Sequence, residues 1–380
     1  MAKSALGDLR VVDLSTRLSG AYTAKLLGDN GADVVLIEAS PSGHPARGEA
    51  PFLDDRPGIE RSLVHAYVNA NKRSVVLSET QRGDGTLDAL IRGADIVVVT
   101  DPAMAREVAR VGGEATVIVG VTAYGLETSM ADAPGTDLTT SAVTGWALVN
   151  GDEGGPPLRP TLHQSTYMAG LTGYTGAVAA ISYRDRTGLG QTVDVCELEP
   201  MLWMASPSIL AASQGDAGRA RARAGVFSGP VATSDGHFSV TFSRPHFWTE
   251  AMKALGLTDL AEDPKYLNRL VRQQEASTLE PRIEAAIASH SRWELFDALS
   301  RERATVGVVL DMADIATSEH LKSRGTFAET TIEDRTVRTL SSPCVMTETP
   351  WEQRTPAPRL GAHTNEVLGD WGITSGKASA

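Results

Sequence analysis

Residues 166–184 contain no proline and are apolar on almost every side, which predicts a helix buried all round rather than one lying on a surface. Ala169, Gly173, Gly176, Ala177 and Ala180 recur at spacings of three and four, so they form one stripe. Each glycine inside a helix costs about 1 kcal/mol of propensity relative to alanine. A stripe of small residues kept at that cost predicts close approach of another backbone or a ligand, and the rest of the fold must supply it. The helix is expected to stop at Arg184-Asp185-Arg186, where Thr187-Gly188-Leu189-Gly190 turns the chain into a short strand over 191–195.

The chain before this helix alternates strand and helix signals. Residues 9–14 and 33–38 read as buried strands with a helix over about 21–28 between them, an opening that implies a parallel sheet. Helices over 87–93 and 103–111 and strands over 95–100 and 116–121 continue the pattern. A Rossmann-like doubly wound α/β core is the most economical architecture. The dinucleotide glycine fingerprint is absent, since the first turn reads Ser15-Thr16-Arg17-Leu18-Ser19-Gly20. Residues 39–61, rich in proline, glycine and charge, are expected to form a long loop over the sheet or a partner. Lys72 and Arg73 then open a strand, either as solvated loop charges or as an anion contact.

A chain of 380 residues buries a large core and accommodates one large domain and a smaller one. After 191–195 a helix over 199–212 is expected, then a connector over 215–225 with three alternating arginines, a mobile linker or a clamp on a carboxylate or phosphate. From Val226 short strands with turn signals take over. A hairpin over 231–242 and helices over 247–255, 279–289 and 292–301 predict a small α+β domain ending near Gly325. The expected division is a large domain over 1–212, linker and small domain over 213–325, and a return to the large domain over 326–380.

With 42% hydrophobic and 22% charged residues, the composition is that of an ordinary globular protein. A formal net charge of −12 argues against a general nucleic-acid or anionic-membrane binder. The two cysteines, Cys196 and Cys344, have no metal-ligand spacing, which predicts a reduced compartment and no metal. No run of about 18 apolar residues occurs, and the expected location is the cytoplasm.

The run Arg184 to Val195, with Thr187-Gly188-x-Gly190-Gln191-x-Val193-Asp194-Val195 after a Gly/Ala-rich helix, resembles the family III CoA-transferases, the CaiB/BaiF class. So do Asn69-x-x-Lys72-Arg73-Ser74, the pair Tyr124-Gly125 and Pro134-Gly135-x-Asp137, and the ending Leu360-Gly361-x-His363-Thr364-x-Glu366-Val367-Leu368. The resemblance spans nearly the whole chain. It implies acyl-CoA and a small carboxylic acid as substrates, and an interlocked dimer with a homologous subunit, homomeric or heteromeric.

In that family the helix opens with Asp-x-x-x-Gly, and the aspartate is the catalytic nucleophile. Counting from Gly170 and Arg184, its position here holds Thr166. The loop that holds CoA in the family, Asn-aromatic-Arg-Pro-Gly, reads Thr100-Asp101-Pro102-Ala103-Met104, and Asp101 adds negative charge. Related racemases carry a histidine where Thr136 stands, so racemisation is not expected. Carried over residue by residue, the CoA positions are Thr16, Arg17, Leu18, Leu77, Thr100 and Arg106.

A mixed anhydride formed on a carboxylate reopens easily, whereas an acyl-threonine is an ordinary ester, slow to form and slow to leave. The resemblance therefore implies CoA transfer with this chain as the non-nucleophilic subunit of a heteromer. An alternative is an acyl-CoA isomerase, lyase or hydrolase in which His163 activates the Thr166 hydroxyl. Its plainer counterpart makes His163 a structural loop histidine and lets Ser165 or Thr166 cap the helix. A non-catalytic scaffold is the third reading.

Overall fold

The computed structural model describes residues 4–151, 155–215, 226–227, 229–242, 245–302 and 304–373. Six strands form its main sheet: β1 (Arg10–Asp13), β2 (Asp33–Glu38), β3 (Lys72–Val76), β4 (Ile96–Val99), β5 (Val117–Thr122) and β6 (Thr192–Cys196). All pairings are parallel and the spatial order is β3-β2-β1-β4-β5-β6. β4 and β5 are buried along their whole length, as expected of strands covered on both faces. The strand order reverses between β1 and β4, the place where doubly wound sheets open a crevice at the carboxyl ends of the strands. There the Thr16 amide donates to Thr100 Oγ1 at 2.9 Å, tying the two strand ends together.

The central helix spans Gln164–Thr187 and ends at Gly188, whose φ of +80° a side chain would strain. Its small residues meet helix Leu18–Asp29. A Cβ at Gly170 would lie 2.7 Å from the Ser19 carbonyl oxygen, and one at Gly173 would lie 2.6 Å from Thr23 Oγ1. Thr23 Oγ1 uses this proximity to donate to the Gly170 carbonyl at 3.0 Å. The close approach predicted by the stripe is thus to a second helix.

The helix is not buried all round. Ala169, Gly173, Ala177 and Ala180 are covered, while Leu171, Val178 and Tyr183 are exposed on its other side. Apolar character on every side conceals this asymmetry, because small and large apolar residues score alike.

Other elements differ from expectation in instructive ways. The helix expected over 199–212 is two helices, Leu198–Met204 and Ser206–Ser213, because Pro207 has no N–H to continue the first. Lys72 and Arg73 are neither loop charges nor an anion contact. Lys72 is fully buried and donates to Asp13 Oδ2, the Ala21 carbonyl and Asn69 Oδ1, each at 2.8 Å. Arg73 pairs with Asp33, Glu366 and Asp370. These cations fasten β3 to β1, β2 and the C-terminal helix Thr364–Asp370.

Two compact units divide the chain, one of residues 1–151, 156–217 and 322–380, the other of 152–155 and 218–321. The smaller unit holds the antiparallel sheet β7 (Val231–Thr233), β8 (Gly236–Thr241), β9 (Thr305–Val308) in that order. Its core gathers Phe238, Trp248, Met252, Leu279, Ile283 and Leu299 from the sheet and three helices. The larger unit also carries the hairpin β10 (Phe327–Ile332) and β11 (Arg335–Leu340). Asp152, Glu153 and the arginines at 219, 221 and 223 lie outside the described residues.

Candidate active site

A cavity of about 340 Å³ opens in the larger unit at the amino end of the central helix. Thr166 lines it from the third helical position, with its residue surface 7% exposed, and His163 lines it from the N-cap. Neither Ser165 nor Thr166 caps the helix. Instead Asp137, on helix Asp137–Val143, accepts from the Ser165 amide at 2.9 Å and from Ser165 Oγ at 2.5 Å. A carboxylate satisfies an open N–H better than a neutral hydroxyl and also meets the positive end of the helix dipole. Thr136, where the racemases carry histidine, caps its own helix through a reciprocal bond pair with Thr139.

Three further carboxylates bear on the chemistry. Glu197 is completely buried and held by three bonds: it accepts from Arg17 Nε at 3.0 Å and Nη2 at 2.7 Å, and from Ser19 Oγ at 2.6 Å. Arg17 gives a remaining donor to the Gly135 carbonyl at 2.8 Å. Three of the five N–H donors of its guanidinium thus go to the protein, and its side chain lines the cavity. Glu49 is half-exposed, with Oε2 3.7 Å from His163 Nε2, beyond hydrogen-bond reach. Asp101, outside the cavity, caps helix Pro102–Val111 by accepting from the Met104 amide at 2.8 Å. The end of that helix already holds an anion of its own.

The loop over 39–61 supplies one wall, and one buried residue fixes it. Arg47 makes a two-pronged pair with Glu38, at 2.7 and 2.8 Å, and reaches Glu60 at 2.7 Å and the Pro358 carbonyl at 2.9 Å. Burial alone would raise the Glu38 pKa, but the bonds and charge of Arg47, with Ser74 and the His44 amide, pull it well below the usual carboxylate range. Glu38 also holds the His44 amide at 2.7 Å, which places His44 in the cavity wall. Burial drives the His44 pKa down to about 4, against the opposing pull of Asp13.

Thr16, Arg17 and Leu18, expected from the sequence, share this cavity with Thr166 and His163. The other three expected positions lie elsewhere. Leu77 is packed in the core with Val367 and Leu368 of the C-terminal helix, Thr100 is buried and bonded to Thr16, and Arg106 is exposed on helix Pro102–Val111. His44, Glu49, Arg159 and Glu197 were not foreseen. Arg159 and Glu197 flank the central helix in sequence, a signal that could have found them; His44 and Glu49 sit in an aperiodic loop that offers none.

A model of CoA-transferase family III matches residues 6–364. The chain belongs to that family. Among its relatives, the succinyl-CoA:(R)-benzylsuccinate CoA-transferase subunit BbsE of Thauera aromatica is 30% identical over 96% of this chain and 93% of its own. The succinyl-CoA–L-malate CoA-transferase beta subunit of Chloroflexus aurantiacus is 27% identical over 96% and 93%. The crystal structure of a CaiB/BaiF family protein from Brucella suis superposes with a TM-score of 0.84 at 20% identity, covering 97% of this chain and 99% of that one. Fold and family follow, and acyl-CoA thioesters are the substrates that the family implies. Among the described residues, no helix is long and apolar enough to cross a membrane, and no group of three or more His, Cys, Asp or Glu could hold a metal ion.

Proposed function

We propose that this chain is the subunit without a nucleophile in a heteromeric family III CoA-transferase, which moves CoA between an acyl-CoA thioester and a carboxylic acid. The observation that carries this reading is Thr166, a hydroxyl at the cavity end of the central helix where the family motif has aspartate. Of the acids nearest the helix end, Glu197 is held by Arg17 and Ser19, and one oxygen of Asp137 serves the helix end. Asp101 adds support, since its charge occupies the helix end beside the loop that holds CoA in the family. Thr16 and Leu18 are proposed as residual CoA contacts on the wall. Leu77 and Thr100 would act only from buried positions, and Arg106 from the surface.

A partner subunit also accounts for apolar surface. Leu171 and Val178 on the central helix, and Trp203, Met204, Ile209 and Leu210 on the two following helices, are exposed, and Trp203 is 81% so. A large exposed apolar surface of this kind marks an interface. An interlocked dimer with a homologous chain would cover it.

The test is expression alone and together with a homologous subunit that carries the aspartate. The single chain should show no transfer with any pairing of acyl-CoA and acid, and the co-purified pair should be active. A lone homodimer with full transferase activity would refute the proposal. The contact between Glu49 and His163 favours a second reading, in which His163 activates Thr166 toward acyl-CoA as a hydrolase, lyase or isomerase. That reading requires turnover of an acyl-CoA without a carboxylate acceptor.

A further inference from the structure

In a doubly wound sheet, the carboxyl ends of the two strands at the order reversal form the crevice for a phosphorylated cofactor, whose phosphates lie at the amino end of the following helix. Here the strands are β1 and β4, and the helix is Pro102–Val111. The CoA that the family implies would bring a diphosphate to this place, and the residues present do not fit one. The Thr16 amide donates to Thr100 Oγ1 at 2.9 Å and the two hydroxyls lie 3.2 Å apart, so side chains bridge the crevice. Thr100 is buried, and its Cγ2 stands 2.5 Å from where a Cβ of Gly20 would be, so its methyl fills the space beside helix Leu18–Asp29. Asp101 puts a carboxylate on the helix end itself, with Oδ1 accepting from the Met104 amide at 2.8 Å. Asp101 is exposed, so the bridge closes the crevice floor and leaves this charge at the helix end to decide what docks there. The first cation of the helix is Arg106, about 7.5 Å further along the axis and past the turn in which a helix end favours an anion. Among the described residues, the cavity that holds Thr166 is lined on this side by Thr16, Arg17 and Leu18 and by none from that helix.

We propose that Asp101 denies this chain the nucleotide end of CoA, so that it holds thioesters by the pantetheine arm alone and takes an acyl-pantetheine as readily as an acyl-CoA. The arm is uncharged, and Thr16 and Leu18 on the cavity wall are the residues that would hold it. The diphosphate is anionic and is repelled by the carboxylate that already occupies the helix end. The inference rests on the cavity being the thioester site of the family III fold, and it adds the residue that sets the class of thioester. It does not depend on whether the chain is catalytic alone, because equilibrium binding of a free thiol needs no nucleophile.

The experiment is calorimetric titration of the purified protein with CoA and with pantetheine, each as the free thiol. At low salt the wild type should bind the two within about threefold of each other, since the nucleotide end gains no favourable contact. Asp101→Asn keeps an oxygen for the Met104 amide and removes the charge, and asparagine caps a helix as well as aspartate does. In that protein CoA should bind about tenfold more tightly than in the wild type, by a margin that shrinks as salt is added, while pantetheine binds as before. A cap with a structural role only would move neither ligand and would show no dependence on salt. Wild-type CoA binding more than about threefold tighter than pantetheine, an Asp101→Asn protein with unaltered CoA affinity, or no binding of pantetheine by either protein would overturn the proposal. Transfer activity of the lone chain would overturn only the subunit reading.

Discussion

Gly170 is the position at which packing, fold and site position can be tested together. A Cβ there would stand 2.7 Å from the Ser19 carbonyl oxygen, 2.9 Å from Tyr22 Cδ1 and 3.0 Å from Tyr22 Cβ. The first of these is backbone and cannot rotate away. Gly170→Ala gains about 1 kcal/mol of helix propensity. Overpacking costs about 1–3 kcal/mol, and a contact with rigid backbone belongs at the upper end. The net expectation is a loss of about 2 kcal/mol. At Gly176 the Cβ would meet the methyl Val193 Cγ1 at 2.6 Å, a side-chain atom that can turn aside. Gly176→Ala should therefore change stability by less than about 1 kcal/mol. Urea unfolding followed by far-UV circular dichroism reads both values. A Gly170→Ala protein as stable as the wild type, or a Gly176→Ala protein losing as much as Gly170→Ala, would refute the claim that the stripe exists for the crossing with helix Leu18–Asp29.

Lys72→Met should cost about 3–5 kcal/mol, since it leaves Asp13 buried without its cation; adding Asp13→Asn should recover part of the loss, measured by the same unfolding assay. Glu197→Ala should cost about 2 kcal/mol by stripping Arg17 and Ser19 of their acceptor, a change visible in urea midpoint. His44 gives a pH dependence. Its pKa falls from an unfolded value of 6.5 to about 4 in the fold, so between those values the unfolded chain binds more protons. Stability from this group is fully present above pH 6.5 and falls by about 3 kcal/mol as pH drops to 4. His44→Asn should flatten that slope by close to one proton, with the remaining slope carried in part by His65, also lowered by burial.

What the sequence shows clearly is whatever has a period. Strands such as Ile96–Val99 and Val117–Thr122 are continuous apolar runs between helical patterns, and the sheet follows from them. Gly170 and Gly173 advertise a close crossing, though not its partner. The family motif marks Thr166 and spacing along the chain marks His163, and the fold brings both to one cavity. Long-range polar pairing is what local pattern cannot show. Lys72 finds Asp13 across 59 residues, and Arg47 finds the Pro358 carbonyl across 311, so cations that look solvated in the sequence are internal fastenings. The same limit hid His44. It has no periodic neighbours, and only the fold reveals that one ring nitrogen is used and the other is not.

The fastenings also explain why the fold is a poor guide to competence at the site. Arg47 with Glu38 and Glu60 holds the loop wall, Lys72 with Asp13 joins β3 to β1, and Arg17 with Glu197 joins the first turn to the segment after β6. Thr166 has no part in these ion pairs. Exchanging an acid for a hydroxyl there therefore leaves the cavity walls supported by the same bonds. A superposition with a TM-score of 0.84 at 20% identity reports that scaffold and not the reacting group it presents. Chemistry at the mouth of the central helix can change while the sheet order, the helix crossing and the loop wall stay as they are.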